Sequence, residues 1–519
     1  MSSTVIETLE KAFSLKVIDK SKTRPLWERV QVQPTLLISL LQKLKGLNYQ
    51  LQTIAVLDTR GLKNSLGDFR LDYIIQNSVD GGIVILQLDL PDHKTRFPSA
   101  TGVFPDALIV EDEIEVLFGL YAETRIENQY YRSLNYRKPA DHPMRKDYVL
   151  SSARGEPRFF TPDAEPDDIY SWLNVRNNGC QPIDFVKIRH NRLVDVAIDP
   201  FYTHRGMEKM FEGVPVDMGI EIAENICADN SFSHSLGYCM ALEQLCQTPA
   251  PERANYVRMV FLESEILSGH LKVVSNVLAS IGEQIYSNRL RVAEERLRHW
   301  IEYVSGSRWF RSVNLIGGVR RDICDDALER FVLWKNEFHL DIYAVMHILK
   351  NDNFCRLLRG LACADGRVSG TFSGVNARAS GIMTDFRSSG FLAYSSLDFK
   401  PLILHEGDAY ARLLLRLEEI KRGIDIMVLS MEKIPAGDIW GGVRDVKAFA
   451  TGLGCVESPR GRLLYYVYSG ENQDIYRCRI CGPSFGNLGL LCLGIIGSEL
   501  EDREVIMAGF DLNMTEVAL

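Results

Sequence analysis

The longest helical pattern in the chain runs from Pro251 to Trp300, and it limits the fold more than any other feature. Its apolar residues recur at spacings of three and four, as they do on the buried face of a helix: Val257, Val260, Phe261, Leu267, Leu271, Val274 and Leu278. Gly269 and Gly282 interrupt the pattern, so the sequence predicts two long helices rather than one. We therefore expect a mostly helical domain around this stretch.

The part of the chain before residue 150 has a different pattern. Thr35–Lys45 carries leucines at helical spacing and is followed by Gly46, which predicts a short helix. Ile83–Leu90 places alternate residues on opposite faces, as a strand does. The acidic run Glu111–Glu115 is interpreted as a solvated helix face. Residues 1–150 are therefore predicted to form a small α/β module.

Residues 151–185 are rich in proline and asparagine and carry mixed charge, which is typical of a linker, and we place a domain boundary there. The remaining residues, 186–519, form the second predicted domain. Within it, Asp408–Arg422 is predicted as a helix that ends before Gly423, and Arg462–Phe485 alternates like strands. The predicted fold class is α+β, with a small N-terminal α/β module followed by a mostly helical domain that contains small β elements.

Composition excludes several classes of protein. The chain has 519 residues, 46% of them hydrophobic and 24% charged, as in an ordinary globular protein. Its net charge of -9 argues against a dedicated nucleic-acid binder. The longest strongly apolar run, Leu488–Gly497, is about half of the roughly 20 residues that a membrane-spanning helix needs. Eleven cysteines without disulfide-framework spacing suit a reducing cytoplasm.

One segment, Glu224–Glu243, combines helical periodicity with a cluster of reactive residue types near its start. Cys227, Asp229 and His234 lie within eight residues, together with Asn230, and such a cluster could form a metal or redox site. The alternative is a helix start, with Asp229 or Asn230 as its cap, His234 as a buried structural histidine and Cys227 as a small core residue. This segment alone favours the helix start.

Several motifs, taken together, resemble one family along nearly the whole chain. They are YTHRGMEK (Tyr202–Lys209), PERANYVR (Pro251–Arg258), GGVRRD (Gly317–Asp322), ARASG (Ala377–Gly381), GDAYAR (Gly407–Arg412), ESPRG (Glu457–Gly461) and YRCRICGPSF (Tyr476–Phe485). In this order they resemble the large subunit of energy-converting nickel–iron hydrogenases and the homologous quinone-site subunit of respiratory complex I. PSATGVFPDALIVEDEIEVLFG and HPMRKDY resemble the smaller peripheral subunit of complex I, which is fused ahead of the large subunit in formate-hydrogenlyase-type hydrogenases.

This resemblance implies a set of partners and a location. It implies a peripheral subunit on the cytoplasmic side of the cell membrane, bound to an iron–sulfur small subunit and to antiporter-like and anchor subunits in the membrane. The iron–sulfur cluster would belong to the partner, because no set of four cysteines in this chain has the spacing of cluster ligands. No cofactor is expected in this chain itself, and quinone is one carrier that the resemblance allows.

The sequence departs from the family at the metal ligands. Nickel–iron hydrogenases bind their metals through four cysteines, whose positions fall here on Cys227, Asn230, Asn513 and Glu516. Bridging nickel and iron requires soft thiolates, so we expect no metal centre and no nickel–iron hydrogenase activity. Complex I binds quinone with a histidine of a GPxHP hairpin and with a tyrosine. No GPxHP precedes His204, and the tyrosine position falls on Ala228.

These substitutions leave two interpretations of the site. If the fold is kept, the four ligand positions line one cavity with Asp229 and His234. In a remodelled polar pocket, Asp229, His234 and Glu516 would pass protons or bind a small polar ligand. In a vestigial cavity, these groups would only bond one another, and the sequence slightly favours this second interpretation.

Residues outside this cavity are interpreted as structural. Cys478 and Cys481 form a CxxC without a second pair, which is interpreted as incidental rather than as a redox or zinc pair. Arg320, Arg321 and Arg378 are expected in salt bridges or at a subunit interface.

Two functions follow from these interpretations. The first is a subunit that passes electrons from a partner's iron–sulfur cluster to a carrier such as a quinone, coupled to ion translocation. The alternative is a catalytically inactive structural or coupling subunit of the same kind of complex. Whether the chain is an enzyme stays open at this point.

Overall fold

The computed structural model describes most of the chain, namely residues 15, 17–21, 23, 25–62, 66–77, 81–91, 93–126, 132–133, 142–149, 169–172, 184–198, 200, 204–349, 351–364, 372–397 and 399–519. Among these residues, more lie in helices than in strands, and the strands form several small sheets, as the predicted α+β class requires.

The N-terminal module is one five-stranded sheet covered by helices. Its elements, in chain order, are β1 (Val17–Lys20), β2 (Trp27–Gln31), α1 (Pro34–Gly46), β3 (Tyr49–Asp58), β4 (Phe69–Asn77), β5 (Ile83–Leu90), β6 (Arg96–Pro98), α2 (Ala107–Phe118) and β7 (Tyr121–Glu123). The strand order of the five-stranded sheet is β1-β2-β5-β4-β3, and within it only the β2–β5 pair is parallel. Strands β6 and β7 form a separate parallel pair. The predicted helix and the predicted strand are both present, and β5 has the predicted bounds.

The acidic run on α2 is buried, so the prediction of a solvated helix face was wrong. Glu111, Asp112 and Glu113 are each at most 6% exposed. The carboxylate of Glu111 accepts hydrogen bonds from Ser99 Oγ at 2.8 Å and from the Ala100 amide at 2.7 Å. Arg125 pairs with Asp112. The partners come from other parts of the chain, so a local charge pattern could not reveal them.

A second sheet follows, with the order β8-β11-β10-β9. Its strands are β8 (Arg132–Ser133), β9 (Ile169–Trp172), β10 (Asp184–Arg189) and β11 (Arg192–Ile198). Strand β9 lies inside the segment assigned to a linker, and it pairs antiparallel with β10. The other residues of 151–183 lie outside the described part of the chain, so the boundary at 151–185 stays a prediction.

The larger part of the chain is a helical assembly around a small sheet. Its helices are α3 (Met207–Met210), α4 (Gly219–Glu224), α5 (Ser231–Cys246), α6 (Glu252–Ser280), α7 (Gln284–Ser305), α8 (Ala327–Ile348), α9 (Asp352–Leu358), α10 (Gly374–Ala379), α11 (Ala409–Glu432), α12 (Pro483–Ile495) and α13 (Arg503–Phe510). Its strands are β12 (Asn314–Leu315), β13 (Gly318–Val319), β14 (Thr451–Ser458), β15 (Gly461–Ser469) and β16 (Ile475–Cys481).

Two of the predicted helix breaks were wrong for the same reason. The two long helices α6 and α7 separate next to Gly282, as predicted, but Gly269 lies inside α6, and α11 continues through Gly423. A Cβ at Gly269 would lie 2.6 Å from the ring of Pro459, and a Cβ at Gly423 would lie 3.3 Å from Glu263 Oε2. Both glycines therefore provide space for a neighbouring side chain and do not end the helix.

The sheet β14-β15-β16 holds the core of the second domain in place. Helix α5 lies against β14 and β15, and α6 packs between α5, α7 and α11. The apolar run Leu488–Gly497 forms most of α12, which is buried against the N-terminal module. None of the described helices has the length and hydropathy needed to cross a membrane.

The two predicted modules share a continuous interface. One apolar core contains residues of the first sheet and of α1 and α2 together with residues of α12 and α13. The interface is also polar, because Arg479 of β16 pairs with Glu113 of α2 at 2.6 Å and with Glu208 of α3 at 3.2 Å. Arg477 completes this group by pairing with Glu208 at 2.6 Å.

Candidate functional site

The four family ligand positions converge at the start of α5. Cys227 precedes a 3-10 turn (Ala228–Asn230), and Asn230 leads into α5, while Asn513 and Glu516 lie in the C-terminal segment after α13. Asn513 Nδ2 donates to Cys227 Sγ at 3.1 Å, and Asn230 Nδ2 donates to Glu516 Oε1 at 2.5 Å. The segments are therefore joined in two cross-pairs, each of one early and one late position.

The side chain at the centre of these positions is Arg460, which the sequence motifs did not single out. Its Nη1 lies 3.5 Å from Glu516 Oε1 and 3.9 Å from Cys227 Sγ. Its Nη2 lies 3.4 Å from Asp229 Oδ2, and its Nε lies 3.1 Å from Asp511 Oδ2. We call this group the Arg460 site: Arg460 with Cys227, Asp229, Asn230, Asp511, Asn513 and Glu516.

Arg460 is a buried cation surrounded by acidic groups. Its side chain is 4% exposed. Burial alone would lower its pKa, but the carboxylates of Asp511 and Glu516 raise it well above the usual arginine value. The only sequence signal for this residue was its membership of the ESPRG motif, which indicated the family but not a role.

Asp229 lies at the outer edge of the site and is ionised. Lys272 of α6 donates to its Oδ2 at 2.7 Å, and Arg460 lies on its other side. Burial alone would raise the pKa of Asp229, but the two cations lower it to about 2. At neutral pH this carboxylate holds the two cations in place, and it does not carry a proton.

Glu516 is fully buried and has a raised pKa. It accepts a hydrogen bond from Ser484 Oγ at 2.6 Å in addition to the one from Asn230. Burial raises its pKa, and Arg460 only partly opposes this effect. Of the three acids around Arg460, it is therefore the one suited to exchange a proton.

His234 lies one helical turn into α5 and is neutral. Its Nδ1 lies 2.7 Å from the hydroxyl of Tyr465, and its Nε2 lies 4.0 Å from Glu516 Oε1, beyond hydrogen-bond distance. Burial and the charges of Arg205 and Arg460 lower its pKa to about 3. His234 Nε2 and Asn230 Oδ1 are both buried without a hydrogen-bond partner, so the site is polar but incompletely satisfied.

The donor atoms do not fit a nickel–iron centre. Only one thiol remains, and burial raises its pKa to about 12, so Cys227 is not a thiolate at neutral pH. The guanidinium of Arg460 lies beside both Cys227 and Glu516, where it repels a metal cation. Among the described residues, no group of three or more histidine, cysteine, aspartate or glutamate side chains is arranged to hold a metal ion.

This donor set leads to a prediction about metal content. We expect the purified complex to contain iron from its partner clusters but no stoichiometric nickel, and neither to take up nor to evolve hydrogen, because the bridged pair needs four thiolates. Metal analysis and a hydrogen assay measure these outcomes. Stoichiometric nickel that copurifies with this subunit would contradict the assignment of the ligand positions.

The site reaches the surface on one side. Ala228 and Arg205 are exposed there, and Asp229 and Thr515 are partly exposed. Arg205 donates to the carbonyl groups of Ile226 at 2.7 Å and Thr515 at 3.0 Å, and so ties the two ligand-bearing segments together. A partner or a ligand would therefore meet the Arg460 site from the side of Ala228.

The other sequence candidates lie away from this site. Cys478 and Cys481 point into different apolar cores on opposite faces of β16, so they do not form a pair. Arg378 is buried in salt bridges with Asp385 and Glu419, as expected of a structural arginine. Arg320 and Arg321 are exposed.

Comparison with known proteins assigns the two parts of the chain to two protein families. Residues 30–154 match the family model of the respiratory-chain NADH dehydrogenase 30 Kd subunit. Residues 284–452 and 448–518 match that of the 49 Kd subunit. The order of the two matches is the fused order that the motifs indicated.

Individual relatives extend over most of the chain. Hydrogenase-4 component G of Escherichia coli is 26% identical over 98% of this chain and 91% of its own length. Formate hydrogenlyase subunit 5 of Escherichia coli is 26% identical over 82% of this chain and 78% of its own length. A subunit of the NADH-quinone oxidoreductase of Carboxydothermus hydrogenoformans is 29% identical over 64% of this chain and 93% of its own length.

A solved structure agrees with these relatives. A chain of the membrane-bound sulfane sulfur reductase, an archaeal respiratory membrane complex, matches with a TM-score of 0.64 and 25% identity, over 68% of this chain and 99% of its own length. The chain thus combines a region of the respiratory-chain NADH dehydrogenase 30 Kd subunit family with a following region of the 49 Kd subunit family, and over most of its length it is similar to hydrogenase subunits.

Proposed function

We propose that this chain is a peripheral subunit of a membrane-bound, energy-converting redox complex. In it, electrons from a partner's iron–sulfur cluster reduce a carrier such as a quinone at the edge of the Arg460 site, and this reaction is coupled to ion translocation. The partners are an iron–sulfur small subunit and antiporter-like and anchor subunits in the membrane. The chain lies on the cytoplasmic side.

The relatives support the class of complex. They are named as parts of a formate hydrogenlyase, a hydrogenase, NADH-quinone oxidoreductases and a sulfane sulfur reductase. Their shared feature is redox chemistry, while their substrates differ. The class of reaction is therefore better supported than the identity of the carrier.

The main support for the proposal is that the place of the family's metal ligands is taken by an acid, Glu516, and a cation, Arg460. Reduction of a quinone to a quinol consumes two electrons and two protons, so a site for it needs a proton donor and a group that stabilises negative charge. Burial raises the pKa of Glu516, so it binds a proton more readily than an exposed glutamate does. Arg460 is the cation beside it, at 3.5 Å.

The three candidate residues then have different roles. Glu516 donates one of the two protons to the reduced carrier, and the second comes from solvent at the exposed edge of the site. Asp229 is ionised and holds Arg460 and Lys272 at the exposed edge. His234 is neutral, and with Tyr465 it forms a polar wall behind Glu516. We therefore expect alanine at Asp229 and Glu516 to impair the complex more than alanine at Cys478 and Cys481.

A second candidate function is coupling without turnover of a substrate. One observation favours it: the groups of the Arg460 site bond mainly to one another, and Glu516 and Cys227 are at most 1% exposed. In that case the site would respond to the charge of the partner cluster and transmit the response to the membrane subunits.

The test reduces the clusters of the purified complex with dithionite and then adds a water-soluble short-chain quinone. Rapid reoxidation of the clusters, followed by electron paramagnetic resonance, is expected for the wild type. Glu516→Gln keeps the shape of the side chain but cannot donate an acidic proton, so we expect reoxidation to slow by about 10²-fold. Cys481→Ala, which lies away from the site, is the control and should react like the wild type.

The possible outcomes separate the two functions. Clusters that stay reduced in the wild-type complex would rule out quinone reduction at this site and support the coupling function. Equal rates for Glu516→Gln, Cys481→Ala and the wild type would show that Glu516 is not the proton donor.

A further inference from the structure

A second group of buried charges lies outside the Arg460 site, between α6, α10, α11 and β14. It contains four carboxylates and two guanidinium groups, and no side chain in it is more than 3% exposed. We call it the six-residue cluster: Glu263, Arg378, Asp385, Arg387, Glu419 and Glu457. The family motifs indicate no role for it beyond structure.

The cluster has more acids than bases. If every member were ionised, four negative charges would face two positive ones in the protein interior, where uncompensated charge is unfavourable. Two further arginines, Arg416 and Arg422, act electrostatically on Glu419 from outside the cluster, but among the described contacts neither forms a salt bridge with one of its members. His270 is neutral because burial and the nearby Arg416 lower its pKa well below the usual value. Arg416 bonds to His270 and to the carbonyl of Gly509, and Arg422 donates to the Lys400 carbonyl.

Two of the four acids are closely paired with the arginines. Asp385 accepts hydrogen bonds from Arg387 at 3.0 Å and 2.8 Å. Glu419 accepts from Arg387 at 2.5 Å and from Arg378 at 3.1 Å. Burial alone would raise the pKa of Glu419, but the two guanidinium groups lower it. The two arginines therefore make their shortest ion pairs with Asp385 and Glu419.

The other two acids are held more loosely. Glu263 Oε1 accepts from the hydroxyl of Tyr394 at 2.5 Å and lies 3.3 Å from Arg387 Nη1. Its second oxygen, Oε2, is buried without any hydrogen-bond partner. Glu457 Oε1 lies 3.4 Å from Arg378 Nη1, and its Oε2 accepts from the Phe386 amide at 2.9 Å.

A glycine in the middle of α11 provides the space beside Glu263 Oε2. A Cβ at Gly423 would lie 3.3 Å from this oxygen, closer than most side-chain contacts allow. Glycine destabilises a helix interior, so its presence here calls for a reason in the surrounding structure. The unpartnered carboxyl oxygen is the group that occupies this space.

From this geometry we propose that the six-residue cluster is a proton-binding site, in which Glu263 carries a proton on Oε2 and Glu457 exchanges a second proton. With these two protons bound, two carboxylates remain to pair with the two guanidinium groups of Arg378 and Arg387. The ligand is a proton, and the site is separate from the Arg460 site. The proposal does not depend on whether the subunit reduces a carrier.

The acid–base properties of the two residues agree with this assignment. Burial raises the pKa of Glu457 to about 7, with a further contribution from Asp385 that Arg378 and Arg387 oppose. Burial also raises the pKa of Glu263, which Arg387 and Tyr394 oppose. The cluster therefore changes its proton occupancy near neutral pH through Glu457.

The first measurement is infrared spectroscopy of the full-length protein across a pH series. At pH 7 the wild type is expected to show a protonated-carboxyl band that is partly lost in Glu263→Gln. The fraction of the band that titrates around pH 7 should shrink in Glu457→Gln, and the remainder is expected to come from Glu111, whose pKa burial also raises to about 7. Glu432→Gln, at the exposed end of α11, is the matched control and should leave the band unchanged. Wild-type bands in both cluster variants would overturn the proposal.

The second measurement is the melting temperature of the same variants. A carboxyl with a raised pKa destabilises the fold as pH rises from its unfolded value toward its folded value. Glu457→Gln removes this loss, so its melting temperature relative to the wild type should climb from about pH 4.5 to about pH 7 and then level off. Glu419→Gln removes an anion that pairs with both arginines, so it should melt lower than the wild type at neutral pH.

The melting temperatures of Glu263→Gln and Glu419→Gln distinguish a protonated Glu263 from an ionised one. Glu263→Gln imitates the protonated carboxyl, so at pH 8 it is expected to melt at or above the wild type. If Glu263→Gln melts at as low a temperature as Glu419→Gln, then Glu263 is ionised in the folded protein, and the proposal is overturned.

Discussion

Replacing Arg460 with alanine is expected to destabilise the folded protein by about 3–5 kcal/mol, because it removes one member of a buried charge group and leaves the others uncompensated. Three carboxylates contact this guanidinium, at distances of 3.1 to 3.5 Å. Asp229 keeps Lys272 as a partner, but neither Glu516 nor Asp511 pairs with another arginine or lysine within the described part of the chain. The loss should therefore fall mainly on these two acids, and most on Glu516, which is fully buried.

The effect of Arg460→Ala should depend on pH. Without the cation, the pKa of Glu516 rises further above its unfolded value, and a raised carboxyl destabilises the fold as pH increases. The destabilisation should therefore be smaller near pH 5 than near pH 8. Chemical denaturation of the full-length chain at both pH values measures it.

A matched arginine provides the control for this prediction. Arg320→Ala changes an exposed arginine of another family motif, and its effect should stay within about 0.5 kcal/mol. Equal stability of Arg460→Ala and Arg320→Ala would contradict the view that the guanidinium holds the ligand-bearing segments together.

The convergence of the ligand positions could be predicted because motif order carries long-range information. Cys227 and Asn513 are far apart in sequence, and no local pattern joins them; only the resemblance to a family places them together. The structure brings Asn513 Nδ2 to 3.1 Å from Cys227 Sγ. This part of the site follows from the fold, and the order of the family motifs indicates that fold.

The charge states in the site could not be predicted in the same way. Asp229 was proposed as a proton carrier, but it is ionised because Lys272 of α6 and Arg460 of the β14–β15 turn flank it. A pKa depends on atoms within a few ångströms, whichever segments supply them. Arg460 was missed for this reason, since its importance comes from its neighbours and not from its motif.

Local periodicity predicted the helices but not the reasons for exceptions within them. Gly269 and Gly423 were interpreted as breaks because glycine disfavours helix interiors. In the structure each faces a bulky or polar group from another element, Pro459 and Glu263 respectively. The acidic run on α2 was predicted to be solvated for a similar reason, since its partner Arg479, which pairs with Glu113, lies far along the chain.

That same arginine is the basis of the second large prediction. Arg479→Ala is expected to cost about 3–5 kcal/mol and to loosen the contact between the two modules. Arg479 donates to Glu113 at 2.8 Å and 2.6 Å, to Glu208 at 3.2 Å and to Thr53 Oγ1 at 3.0 Å. Glu208 keeps Arg477, but Glu113 keeps no other bonded cation among the described contacts.

Limited proteolysis and thermal unfolding of the full-length chain measure this effect. Lys146→Ala is the control, because Lys146 also lies between the modules but is 28% exposed and pairs with Glu212 at 3.0 Å. A partly exposed pair contributes about 1 kcal/mol or less. Arg479→Ala should therefore lower the melting temperature much more than Lys146→Ala.

A double variant tests whether the unpaired charge of Glu113 causes the loss of stability when Arg479 is removed. Burial raises the pKa of Glu113 and Arg479 opposes this effect, so removing the arginine alone leaves an acid that must bind a proton or stay charged in the core. Arg479→Met with Glu113→Gln removes both charges while keeping similar volumes, and replacing a buried pair in this way is often close to neutral. We therefore expect the double variant to be more stable than Arg479→Met alone. If it is less stable, then the interface depends on the hydrogen bonds of this pair rather than on the balance of its charges.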